Sequence, residues 1–145
     1  ALNRALCDVL PTGQFATAFY AVIDVAHDQL TYVGAGSPHP VLVRGGQLSL
    51  LDATGFVLGI APRATYQAHT VPFGPGDGLF LYSDALVEGE VAPGQVLGSA
   101  GLLPALAEAL ARRPEDPVAA LLGHTLAEAP RPMRDDLTLV WARRS

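Results

Sequence analysis

Two consecutive glycines, Gly45 and Gly46, separate Val41-Leu42-Val43-Arg44 from Gln47-Leu48-Ser49-Leu50-Leu51, and this junction constrains the fold more than any other feature. A two-residue loop closes only an antiparallel hairpin, and the turns that match strand twist need positive φ angles, which glycine adopts at little cost. The segments on either side are therefore neighbouring antiparallel strands. Phe15 to Val25, rich in Phe, Tyr, Val and Ile, is parted by Asp28-Gln29 from Leu30-Thr31-Tyr32-Val33 and reads as a second hairpin. Thr65 to Val71 alternates as a further strand, and Gly78-Leu79-Phe80-Leu81-Tyr82-Ser83 is a short buried one that delivers Asp84 at its end.

The period then changes. Leu102, Leu103, Leu106 and Leu110 recur at helical spacing over Ser99 to Arg113, and Val118, Leu121, Leu122 and Leu126 do so over Pro117 to Ala127. Pro104 is placed early in the first helix, where its missing N–H does little harm, and Arg112-Arg113 suits the negative pole of the helix dipole. Pro130-Arg131-Pro132 ends the second helix, and Leu137 to Trp141 is a last strand approached through Asp135-Asp136. Strands in succession, two helices and one closing strand make an α+β order: mostly antiparallel β-sheets with two packed helices.

At 145 residues the chain suits a single domain spanning 1–145. Half of the residues are hydrophobic and only 16% are charged, so the surface expects a covering partner, either residues beyond this chain or a second copy in a homo-oligomer. No apolar run approaches the roughly 20 residues that span a bilayer. The net charge of −5, with scattered basic residues, gives no footprint for nucleic acid or for an anionic membrane. Ala1 to Leu10 reads as an amphipathic helix, not a signal peptide, and the start looks cut from something longer. Cys7, the single cysteine, lies on its apolar side beside Leu6 and Leu10 and reads as a buried structural thiol.

Chemistry concentrates on carboxylates. Asp84 ends one apolar strand and Asp135-Asp136 precedes another, so adjacent strand ends can bring them together. Converging carboxylates repel one another unless a cation neutralises them, and oxygen-only ligands favour Mg²⁺ or Mn²⁺ over zinc. A plain structural role is open as well, with Asp84 capping a helix that begins near Ala85 and Asp135 shaping the turn into the last strand. His27, His39, His69 and His124 are too separated for a metal motif and read as surface or loop residues. The chain has no G-x-S-x-G elbow, no P-loop and no zinc spacing, and Gly34-Ala35-Gly36-Ser37-Pro38-His39-Pro40 joins two strands instead of opening a helix.

Taken together, these segments resemble the SpoIIE/RsbU-like branch of the PPM (type 2C) protein phosphatases across nearly the whole chain. Leu2-Asn3-Arg4 with Phe15-Ala16-Thr17-Ala18-Phe19 is similar to the family's "LN…F-V-T-A" passage, and Tyr32-Val33-Gly34-Ala35-Gly36 with Pro40 to its "Y-x-N-A-G-H-x-P-P". Leu58-Gly59 stands at its "LG". Pro75-Gly76-Asp77 with Leu81-Tyr82-Ser83-Asp84-Ala85-Leu86-Val87-Glu88 resembles "PGD…L-Y-T-D-G-V-x-E", and Asp135-Asp136-Leu137-Thr138-Leu139-Val140 resembles "DD-I-T-L-V". The resemblance implies a partial α-β-β-α sandwich of PPM type. It makes Asp84 and Asp135 ligands of a two-metal Mn²⁺ or Mg²⁺ centre, with Asp136 as a supporting neighbour. It also implies in-line hydrolysis of phosphoserine or phosphothreonine on a STAS-domain anti-sigma-factor antagonist, in the cytoplasm of a bacterium.

The family's earlier "GD…GHG" motif belongs ahead of Leu2. The resemblance therefore implies the C-terminal part of the domain, with an incomplete metal centre and with the remaining phosphatase segment or a sensor upstream. Ala85 stands for the glycine after the metal aspartate, and Ser37 for a histidine, with His39 two positions on. Two readings stay open: a phosphatase domain, or an inactive pseudophosphatase that binds a STAS-like partner as a signalling module.

Overall fold

The structure, a computed structural model, describes residues 1–129 and 135–145; the Pro130-Arg131-Pro132 helix stop lies outside the described residues. In chain order the elements are α1 (Leu2–Val9), β1 (Ala18–Asp24), β2 (Gln29–Ala35), β3 (Val41–Arg44), β4 (Gln47–Leu50), β5 (His69–Pro72), β6 (Gly78–Tyr82), α2 (Ala85–Glu88), β7 (Glu90–Ala92), β8 (Gln95–Val96), α3 (Gly98–Arg112), α4 (Pro117–Ala120), a π turn (Leu121–Thr125) and β9 (Leu139–Arg143). This is the α+β class expected, with antiparallel sheets throughout. Among the described residues no helix is long and apolar enough to cross a membrane.

The chain divides into two compact units, the first comprising Ala1–His39, Leu51–Pro75 and Arg144–Ser145. Its sheet runs β1-β2-β5, all antiparallel. Tyr32, buried at the centre of β2, stacks on Phe19 from β1 and on His69 from β5, with ring centroids 5.7 and 5.5 Å apart. Cross-strand pairs of this kind fix register, because a slip by one residue would carry Tyr32 to the other face. Asn3, buried on α1, donates from its side-chain amide to the Ala61 carbonyl at 2.8 Å and accepts from the Gly59 N–H at 2.9 Å. One short polar side chain thereby pins α1 to the 58–61 segment. Arg144 closes the unit: it is paired with Asp28 at 2.8 Å and donates to the carbonyls of Val25 and Phe73. Cys7 is half-buried, not enclosed, since its helix turns only part of that face inward.

The second unit, Pro40–Leu50 and Gly76–Arg143, carries a sheet in the order β4-β3-β6-β9. Gly45 and Gly46 take φ angles of 57° and 79° between β3 and β4, the positive values that the two-residue hairpin demands. Val41, Phe80, Leu86, Leu102, Leu106 and Leu121 form the core between this sheet and the helices. Each such side chain is worth about 1.5–3 kcal/mol when fully buried. At the far end of β6, Gly78 lies directly under the Trp141 ring of β9, its paired strand, and a Cβ there would overlap the indole.

Three features depart from the sequence-based expectations. β5 covers only His69–Pro72, its pairing with β2 stopping at Tyr32 and His69 although β2 itself runs on to Ala35. The second helix stops being α-helical after Ala120 and widens into a π turn in which the Leu126 N–H donates to the Leu121 carbonyl. Pro104 falls inside α3, in its second turn, so the bond to the Ala100 carbonyl is lost there. The β7–β8 hairpin is an addition, its strands too short for any periodicity to show; Pro93-Gly94 makes its turn, with Gly94 at φ 73°.

The contact between Gly78 and Trp141 gives a direct check. Gly78→Ala should destabilise the chain by about 1–3 kcal/mol through overpacking, read as a lower urea midpoint at unchanged slope.

Candidate metal centre

β6 is apolar through Tyr82 because Leu79 and Phe80 are core residues, and the first two residues of α2, Ala85 and Leu86, are buried again. Asp84 falls between these two anchors and is the residue left outside. On the facing strand the arrangement is mirrored: Leu137 and Leu139 pack against the core, and Asp135 and Asp136, which precede them, are exposed. The β6–β9 ladder pairs Tyr82 with Leu139 as its last rung, so the carboxylates lie beyond the same end of one antiparallel pair.

Ser83 extends that pairing past the last rung. Its N–H donates to the Thr138 carbonyl at 2.9 Å, and its Oγ accepts from the Thr138 N–H at 3.0 Å while donating to the Asp136 carbonyl at 3.0 Å. The loop that carries Asp135 and Asp136 is thus tied to the residue just before Asp84. Sequence reasoning missed Ser83; the available signal was a small hydroxyl residue ending an otherwise apolar strand opposite Thr138.

Each aspartate also has a local backbone partner. Asp84 Oδ1 accepts from the Ala85 N–H at 3.0 Å, and the Asp84 carbonyl receives the Val87 and Glu88 amides that open α2. Asp135 Oδ1 accepts from the Asp136 N–H at 2.8 Å. The capping role foreseen for Asp84 is therefore present, and it engages one carboxylate oxygen. Ala85, standing where the resembling motif has glycine, is the first residue of α2 and has no positive φ, so its methyl group strains nothing. The adjoining Tyr82 phenol is pushed above its ordinary pKa by burial.

The donor set fits a hard divalent cation in kind: exposed, oxygen-only carboxylates at one sheet end suit an ion that retains much of its water. It does not enclose one. Among the described residues no group of three or more His, Cys, Asp or Glu is arranged to hold a metal ion.

The histidines each have local partners. His27 bonds Asp24 at 2.7 Å on the surface, and that hydrogen bond is the main cause that lowers the Asp24 carboxyl. His69 stacks on Tyr32, and His39 Nδ1 lies 3.0 Å from both the Leu51 carbonyl and the Ala53 amide. His124 lies 3.2 Å from Glu108, whose carboxyl is lowered chiefly by its hydrogen bond from Arg112.

The cap predicts a split between two substitutions. Asp84→Ala should cost about 0.5–2 kcal/mol in urea unfolding, whereas Asp84→Asn, which keeps an acceptor oxygen, should stay close to the unaltered chain.

Residues 1–145 match the family described as Stage II sporulation protein E (SpoIIE). Protein IcfG of Synechocystis sp. is 30% identical over 95 residues, which is 65% of this chain and 15% of that protein. The SiaA-PP2C domain of Pseudomonas aeruginosa superposes with a TM-score of 0.79 at 25% identity, covering 99% of this chain and 58% of its own. The phosphatase domain of the cell fate determinant SpoIIE from Bacillus subtilis (Mn presoaked) gives 0.71 at 18% identity, covering 97% and 62%. The chain spans less than two thirds of each of these relatives, and at 18% identity the last likeness speaks for the fold alone. On the match over its full length, the chain belongs to the SpoIIE family, within the SpoIIE/RsbU-like branch of the PPM (type 2C) phosphatases.

Proposed function

We propose that the chain is the C-terminal part of a metal-dependent serine/threonine protein phosphatase domain, with Asp84 and Asp135 as metal ligands and Asp136 as their supporting neighbour. The observation that carries this reading is the β6–β9 pairing, which runs both aspartate segments out at one end and is continued by the Ser83 bonds to Asp136 and Thr138. Membership in the SpoIIE family supports it. Divalent ions held there, Mn²⁺ or Mg²⁺, would supply charge for the phosphoryl oxygens and activate water for in-line attack on phosphorus.

The chain's own residues have a narrower task. Asp84, anchored by the buried Ala85 and Leu86, holds its carboxylate at a fixed strand-to-helix corner, and Asp135 does so from a loop tied to the same strand end. A divalent cation held between them would be attracted by both carboxylates. The remaining ligands come from a segment of the domain outside these residues. The substrate class is a phosphoserine or phosphothreonine protein of STAS-like type in a cytoplasmic sigma-factor pathway. Ala85 fits its helical position without strain, so this departure from the motif does not count against the enzyme reading.

Calorimetric titration with Mn²⁺ tests the assignment. The chain should bind Mn²⁺ saturably, and Asp84→Asn and Asp135→Asn should each weaken binding at least about tenfold, the scale of a lost charged ligand. Binding indifferent to both substitutions would return the two aspartates to purely structural roles.

A further inference from the structure

Ser83 contributes no ligand atom in the proposed site, yet its hydroxyl is used twice. It accepts from the Thr138 N–H and donates to the Asp136 carbonyl, both at 3.0 Å, across a sequence separation of 53 to 55 residues. The ladder ends at Tyr82 and Leu139, and among the described residues the Ser83 N–H to Thr138 carbonyl bond is the other hydrogen bond that joins Ser83 to the approach to β9. The residues that follow β6 and those that precede β9 are of different kinds, a helix start and a bend, and nothing in regular secondary structure keeps them in step.

We propose that Ser83 is a positioning residue that sets the spacing of Asp135 and Asp136 relative to Asp84, and so determines metal affinity without touching the metal. This rests on the metal reading above. A hydroxyl suits the task because it donates and accepts at once, satisfying a carbonyl and an amide two residues apart with a single atom. Groups that orient metal ligands in this way typically change affinity by about 10–100-fold when removed.

The test compares Ser83→Thr, which keeps the hydroxyl, with Ser83→Val, which has nearly the same shape without it, using Mn²⁺ alone as the probe. Mn²⁺ affinity is followed by calorimetry, urea stability alongside, and amide exchange at Thr138. The expected result is binding close to that of the unaltered chain for Ser83→Thr, a loss of about 10–100-fold for Ser83→Val, and faster exchange at Thr138 only in the latter. Ser83→Ala makes the same comparison if the valine variant does not fold. Unchanged affinity in Ser83→Val or Ser83→Ala, with binding still dependent on Asp84 and Asp135, overturns the positioning role and leaves the metal site standing. Equal loss in Ser83→Thr overturns it as well, since the hydroxyl would then be insufficient. Absence of Mn²⁺ binding by the unaltered chain overturns both claims together.

Discussion

The pairing of β6 with β9 is the constraint on which the second unit depends. It joins residues 78–82 to residues 139–143, across the intervening helices and the β7–β8 hairpin, and it does so in a register fixed at both ends. At one end Trp141 lies over Gly78, the only residue type that leaves room for the indole; at the other, Ser83 continues the hydrogen bonding beyond the last rung. Between them Phe80 and the half-buried Leu139 tie the pair into the helical core. A shift of one residue would turn Phe80 outward and separate Ser83 from Thr138, so packing and the acidic site share one register.

The aspartates are exposed because the core ends where they begin. Leu79 and Phe80 precede Asp84 and Leu86 follows it; Leu137 and Leu139 follow Asp135 and Asp136. Apolar burial on either side fixes the backbone while leaving the carboxylates exposed. Backbone N–H groups of Ala85 and Asp136 each engage one carboxylate oxygen, of Asp84 and Asp135 respectively. Elsewhere on the surface Asp24 pairs with His27, Glu108 with Arg112 and Glu115 with Arg143.

Much of this was legible in the residues. Gly45-Gly46 announced its hairpin because the backbone conformation is local, and Asp84 and Asp135 were recognisable because each borders an apolar run. What escaped were long-range or sub-periodic features. Ser83 and Asn3 act through partners more than 50 residues away, which no window of sequence exposes. The β7–β8 strands are too short to alternate, and the π turn at Leu121–Thr125 keeps the apolar spacing of an α-helix while changing its hydrogen bonds. Thr65 to Val71 alternates, but alternation describes two faces and not a neighbour, and only His69–Pro72 finds one.

Asp84 and Asp135 are proposed to hold one cation between them. Adding substoichiometric Mn²⁺ to ¹⁵N-labelled chain and recording amide line broadening tests this most directly, because paramagnetic relaxation reports where the ion sits. The amides of Ser83, Asp84 and Ala85 should broaden together with those of Asp135, Asp136 and Thr138, before any others. Broadening of one segment without the other, or first at the remaining acidic surface residues, would contradict that assignment.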